Sequence, residues 1–201
     1  STKDVKKNRI EYHQDGVELI SYTEPADDVQ ITDPAKLKIV QVTPSQLRFF
    51  QQRYIKKVRK VSLCKFAFLV LYDNDVLGGF GFDYSKIVDF DLWLLSDFCT
   101  NNNVQRLSKL ILMCIKSKQV QRTISRATGR YISYIYTKVY THAPVSMKYR
   151  GQFTKFDKSK WKKEDVFEDY LMYVTNLGQI SSNEEIINQY QQSLKRSQKN
   201  G

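Results

Sequence analysis

Hydrophobic and polar positions along the chain fall into periods that predict its elements. Over residues 36–43, Leu37, Ile39 and Val42 are interleaved with polar neighbours, as in a half-buried strand. Thr43-Pro44-Ser45 then reads as a helix start, with proline near the first helical position. Leu47, Phe50, Tyr54 and Val58 form one stripe of that helix, to about residue 58. Residues 63–72 are almost continuously apolar and read as a strand buried on both faces. Asp73-Asn74-Asp75 turns it into a second strand, 76–84, and 87–98 reads as a third. A polar loop, 100–103, precedes a helix over 104–118 with Leu107, Leu110, Ile111 and Cys114 inward. Downstream the pattern predicts a strand at 120–126, a tyrosine-rich helix at about 130–140 and short strands at 145–148 and 152–156. A short aromatic helix at 167–174 and a polar helix near 183–194 follow.

This order, β-α-βββ-α-β-α-ββ, belongs to the α/β (α+β) class. It divides the chain into an N-terminal extension (1–35) laid over the fold, a core domain (36–157), and a basic linker with C-terminal helices (158–201). At 201 residues with 41% hydrophobic positions the chain can build one packed core, which excludes a wholly disordered protein. Its longest apolar run, 66–72, falls far short of the roughly 20 residues that span a bilayer. No apolar stretch follows the basic start, so the expectation is a cytoplasmic protein that does not enter a membrane. The three cysteines, Cys64, Cys99 and Cys114, are odd in number and widely spaced, as in a reducing compartment, with Cys64 and Cys114 expected as buried small hydrophobes. With only His13 and His142 available, no metal site is expected.

Charge changes the picture most. Between Arg106 and Lys163 stand fifteen Lys and Arg against one acid, Asp157; that surplus of +14 exceeds the whole-chain +11, so everything outside the stretch is net −3. A smaller cluster comprises Arg53, Lys56, Lys57, Arg59, Lys60 and Lys65. The long basic stretch is interleaved with Tyr131, Tyr134, Tyr136, Tyr140, Tyr149, Phe153, Phe156 and Trp161. Cations that release counterions from phosphates, beside aromatics that stack on bases, point to nucleic acid. The alternative is a solvated basic surface that serves solubility.

Two stretches carry a family resemblance. One is Ser96-Asp97-Phe98 running through Thr100-Asn101-Asn102-Asn103 to Val104-Gln105-Arg106-Leu107-Ser108-Lys109-Leu110. The other is Tyr136-Thr137-Lys138-Val139-Tyr140-Thr141, followed by Pro144-Val145-Ser146-Met147-Lys148-Tyr149-Arg150-Gly151-Gln152-Phe153. With the element order, they resemble the phage Mom-type DNA-modification proteins, a divergent branch of the GNAT (N-acetyltransferase-like) superfamily, over about residues 36–156. The resemblance implies a mixed, splayed central sheet with helices on both faces. It further implies a transferase that modifies the adenine exocyclic amine of DNA with an acyl-CoA-like donor, such as acetyl-CoA, and so blunts restriction in a bacterial host. The alternatives are a non-catalytic DNA-binding protein on a degenerate GNAT scaffold, and an N-acetyltransferase acting on protein or RNA.

On that resemblance, the donor diphosphate would lie on Asn103, Val104, Gln105, Arg106, Ser108 and Lys109, although the loop lacks the usual glycines. The other reading is a polar loop whose asparagine caps the helix. Asp97, beside the splay, is the candidate to accept a proton or orient the amine, or else a cap for a loop amide. Tyr54 stands where Mom-like proteins carry a His-Tyr pair, here with Arg53 before it; it is a catalytic candidate or part of the core. The acid that related proteins carry after the 120–126 segment is missing here, where Arg126-Ala127-Thr128-Gly129 stands. His142 is a candidate base or a surface histidine. Lys138, Tyr140, Lys148, Tyr149, Arg150 and Lys155 are the candidate DNA contacts, with Lys148-Tyr149-Arg150 clamping phosphate and stacking on a displaced base. Gly78-Gly79-Phe80-Gly81 lies between two strands, not before a helix, so it is no phosphate loop.

Overall fold

Local chemistry places the elements, and the sheet then arranges them. The computed structural model describes residues 9–12, 20–55, 64–84, 91–163 and 166–201. Two short strands, β1 (Arg9–Tyr12) and β2 (Ile20–Thr23), pair with each other ahead of β3 (Leu37–Val42). Helix α1 (Pro44–Tyr54) begins at a capping box. The Thr43 hydroxyl accepts from the Gln46 amide at 3.1 Å, and the Gln46 side-chain oxygen accepts from the Thr43 amide at 2.9 Å. Strands β4 (Phe66–Tyr72), β5 (Asp75–Tyr84) and β6 (Leu92–Cys99) follow. The expected end of the first helix and the expected beginnings of the strands at 63 and 87 lie outside the described residues.

Helices α2 (Leu107–Ile115) and α3 (Lys118–Thr128) come next, then β7 (Tyr134–Tyr140), β8 (Thr154–Lys163), β9 (Val166–Asn176) and α4 (Asn183–Lys199). Four expectations fail here. Residues 120–126 are helix, not strand: Ser117 caps α3, and Val120 and Ile124, four apart, both face inward. Residues 130–140 are not helix; Ile135 and Thr137 are buried on alternate positions of β7. Residues 167–174 form part of β9, where Leu171 and Tyr173 enter the larger core and Met172 between them does not, as on a strand. Residues 145–148 belong to turns rather than a strand.

The described strands form one sheet with the main order β3-β4-β5-β6-β7-β9-β8, to which the β1–β2 hairpin joins through a single bridge, Thr23↔Asp75. Neighbours in that main run are antiparallel except β6 and β7. Helices cover both faces, as expected. On one face α1 packs Leu47 and Phe50 on Ala67, Leu69, Val76 and Phe98. On the other, α2, α3 and α4 join Phe68, Phe80, Leu94 and Tyr173 in the larger core, with Cys114 fully buried and Cys64 in the smaller one. The β5 glycines serve this packing: a Cβ on Gly78 would come within 2.2 Å of the Phe98 carbonyl oxygen, and one on Gly81 within 2.3 Å of Cys64 Sγ.

The parallel pair is the exception that makes a site. β6 and β7 are in register only at Leu92↔Ile135 and Trp93↔Tyr136. Just beyond, a bulge at Leu95 shifts β6 against β5, where Phe82↔Leu94 gives way to Gly81↔Ser96. The rest of β6 leaves β7, and the sheet opens between them. Among the described residues no helix is long and apolar enough to cross a membrane.

Candidate active site in the sheet splay

β6 carries Asp97 past the bulge into the opening, on the face of the larger core. Its side chain is only 3% exposed and forms an ion pair with the Lys148 ammonium, which also donates to the Asp97 carbonyl at 3.2 Å. The Tyr149 hydroxyl donates to the other carboxylate oxygen at 2.5 Å. Burial, then the Asp97 charge, push the Tyr149 phenol well above its usual pKa, so it stays a proton donor at any ordinary pH. The ring is 7% exposed, packed 5.4 Å from Phe153 and 5.6 Å from Tyr173. Asp97 is therefore held by two side chains from one turn rather than spent on a loop amide.

That turn is built tightly. The Arg150 amide bonds the Ser146 carbonyl at 3.0 Å, the Phe153 amide bonds the Tyr149 carbonyl at 2.9 Å, and Gly151 takes a φ of +83°. From α2, the Lys109 ammonium donates to three of its carbonyls, Met147 at 2.7 Å, Lys148 at 2.5 Å and Arg150 at 2.7 Å. Burial, followed by the nearby Arg106, Arg150 and Lys148, lowers the Lys109 pKa to about 8.

Beside the turn lies a cleft of about 550 Å³, walled by Arg106 and Lys116 of the α2 segment, Arg150 and Gln152 of the turn, and Gln189 and Arg196 of α4. No acid lines it. Arg106 Nε and Gln152 Oε1 are buried without a hydrogen-bond partner among the described residues. An unpaired guanidinium donor among four cations, Arg106, Lys116, Arg150 and Arg196, suits a diphosphate or another polyanion. Arg106 sits at the α2 N-cap in the left-handed conformation, φ 56°. Tyr190 of α4 fixes this corner by donating to the Gln105 carbonyl at 2.7 Å, and Gln105 reaches Ser197 at 3.3 Å.

The sequence-derived candidates are thus sorted into different places. Of the expected donor residues, Arg106 lines the cleft and Lys109 organises its edge. The amides of Asn103 and Val104 are spent inside the loop on Asn101, and the Asn103 side chain turns to Asp27. Ser108 is half-buried on α2. Loop 100–103 leans away from the splay, because Thr100 bonds the Val76 carbonyl at 2.6 Å and Asn101 bonds the Pro25 carbonyl at 3.0 Å. Tyr54 is not brought to Asp97. It lies across the sheet, stacked on Phe98 at 5.9 Å and donating to Glu24 at 2.5 Å, since successive β6 residues point to opposite faces. His142 is in the exposed turn after β7.

The expected DNA contacts also divide. Burial withdraws Tyr149 from any stacking surface, and Lys148 is bound to Asp97. Arg150 belongs to the cleft, Lys155 turns to the Pro144 carbonyl at 3.3 Å, and Lys138 and Tyr140 lie on the far face of the sheet. Lys116, Gln152 and Arg196 were missed; only the basic last turn of the polar C-terminal helix hinted at Arg196.

A family model for the phage GNAT-like domain matches residues 34–195. No curated protein matches the chain. Among solved structures, the chain is similar to an IAA acetyltransferase from Bacillus cereus (10% identity, TM-score 0.46, 70% of this chain and 99% of that one). It is also similar to Arabidopsis thaliana NAA60 in complex with acetyl-CoA (12% identity, TM-score 0.46, 70% and 99%). A GNAT-family acetyltransferase from Streptococcus pneumoniae is another (14% identity, TM-score 0.45, 71% and 99%). The family match spans the main run of the sheet, the splayed β6–β7 pair and most of the chain: the chain belongs to the phage GNAT-like domain family.

Proposed function

We propose that the protein is an acyl-CoA-dependent transferase whose acceptor is an amine on a nucleic acid, in the finer reading the exocyclic amine of adenine in DNA, as in Mom-type modification. The observation that carries the reading is the junction of splay and cleft. One turn, 146–153, supplies Lys148 and Tyr149 to a buried carboxylate and Arg150 to a cationic cleft. Arg106, Lys116, Arg150 and Arg196 fit the diphosphate of an acyl-CoA, which would supply an activated acyl carbon when bound. Asp97 is the group in the splay able to take up the proton an attacking amine loses, with Tyr149 and Lys148 fixing its two oxygens. The surplus of +14 over residues 106–163 supports a polyanionic acceptor, and a duplex adenine would have to leave its stack to reach the splay.

The spent amides of Asn103 and Val104 favour a second reading, a DNA-binding protein that has lost its donor. Calorimetry with acetyl-CoA separates the two. Binding that weakens about tenfold or more in Arg106→Ala and in Arg196→Ala supports the transferase, and no binding leaves only the binder. Mass spectrometry of nucleosides after incubation with DNA and acetyl-CoA then tests the acceptor; unmodified adenine in the presence of bound donor would remove the adenine reading.

A further inference from the structure

We infer that the face of β7, β9 and the start of β8 turned away from α2, α3 and α4 is a stacking platform for the unpaired bases of a single-stranded nucleic acid. The inference rests on the nucleic-acid part of the proposed function and not on its chemistry.

The register puts this face together. Tyr136, Lys138 and Tyr140 of β7 stand opposite Val174, Met172 and Tyr170 of β9, so all six point away from α2, α3 and α4. Phe156, the extra residue where β8 slips against β9 between Lys155 and Asp157, joins them beside Tyr136. Trp93 arrives from β6, opposite Tyr136 in register. The rings form two groups: Phe156 meets Tyr136 at 6.0 Å and Tyr136 meets Trp93 at 6.1 Å, while Tyr170 meets Tyr140 at 6.3 Å. Lys138 joins the two halves, its ammonium 5.4 Å from the Trp93 ring and 5.1 Å from the Tyr170 ring.

Among the described residues, helix α1 packs on this side of the sheet against β4, β5 and β6. On this face Tyr140 and Phe156 are 55% and 56% exposed, while Met172, opposite Lys138, is 4% exposed. An apolar surface of this kind on a strand face, with a cation at its centre, calls for a partner that is flat, apolar on its faces and anionic at its edges. Unpaired nucleotides meet all three requirements, because each base offers a π-face and each linkage a phosphate. A duplex does not, since its base faces are already stacked on one another. A second copy of the chain would set Lys138 against Lys138 within a protein of net charge +11, which argues against self-association through this face.

The test uses the full chain and two fluorescein-labelled 12-mers with equal numbers of phosphates, oligo(dT) and its abasic counterpart, followed by anisotropy over a salt series. The platform predicts binding to oligo(dT) at least about tenfold tighter than to the abasic strand. Tyr140→Ala and Phe156→Ala, at exposed positions, should erase most of that preference, with the salt slope and the urea midpoint unchanged. Equal binding of the two strands overturns the platform and leaves the nucleic-acid reading standing on charge alone. A preference that survives in the double variant overturns it as well, because the bases then stack elsewhere. Failure to bind either strand removes both readings. A dimer in sedimentation that Phe156→Ala dissociates would assign the face to self-association, and the platform would fall.

Discussion

Tyr149→Phe removes one oxygen and leaves the ring where it packs, so it isolates the bond that closes the splay. The hydroxyl donates at 2.5 Å to a carboxylate whose side chain is 3% exposed. Hydrogen bonds to charged groups contribute about 1.5–3 kcal/mol, and water reaches this carboxylate poorly. Lys148 still pairs Asp97 in the variant, which places the expected loss near the middle of that range, about 2 kcal/mol. For a chain of this size that is a fall in Tm of roughly 4–8 °C. Urea unfolding should show a lower midpoint at unchanged slope, because no core surface is exposed. Since the phenol pKa lies far above the working range, the loss should be the same at pH 7 and pH 9. A cycle with Asp97→Asn should give a coupling of at least about 1 kcal/mol, as the two side chains share one contact. A loss below about 0.5 kcal/mol, or additive variants, would refute the reasoning and show that Lys148 alone holds the carboxylate.

Further outcomes follow from other parts of the fold. Because the Lys109 pKa is lowered on folding, the unfolded chain binds more protons between about pH 8 and 10.5, so this group adds stability as pH rises through that window. The stability difference between wild type and Lys109→Met should therefore grow over that range in urea titrations, and a shrinking difference would contradict the lowered pKa. Gly78→Ala drives a methyl against the Phe98 carbonyl and Ile111, and should cost about 1–3 kcal/mol or prevent folding; a neutral result in thermal melts would mean that β5 and β6 can separate. Thr43→Ala breaks the capping box and should cost about 1 kcal/mol by the same melts.

Much of the first half of the chain could be read locally. Its strands are rich in continuous apolar runs, its first helix announces itself at Thr43-Pro44, and the glycines of β5 sit between strands as their context requires. The second half misled because two periods overlap there. Ile132, Ile135, Tyr136 and Val139 are spaced as on a helix, yet they lie in and beside β7, where β-branched residues alternate across a sheet. Phe167, Tyr170, Leu171 and Val174 raise the same ambiguity in β9. Conversely, Val120 and Ile124 suit an amphipathic helix as well as a strand, and only the Ser117 cap decides. Asp97 could be placed at the splay from element order. Its partners could not, because Tyr149 lies 52 residues away and nothing local marks a tyrosine destined for burial. The cleft was hidden for the same reason: Arg106, Arg150 and Arg196 converge only once α4 folds back over α2.

That return of α4 makes the cleft a product of long-range closure. Gln191 donates to the Ile31 carbonyl across 160 positions and Asn183 to the Leu37 carbonyl across 146, so this helix ties the beginning of the described fold to its last element. During synthesis the sheet, the splay and Asp97 are all translated before Gln189 and Arg196 exist. A nascent chain can thus order its strands while the cationic cleft still lacks a wall, and the cleft closes late and all at once.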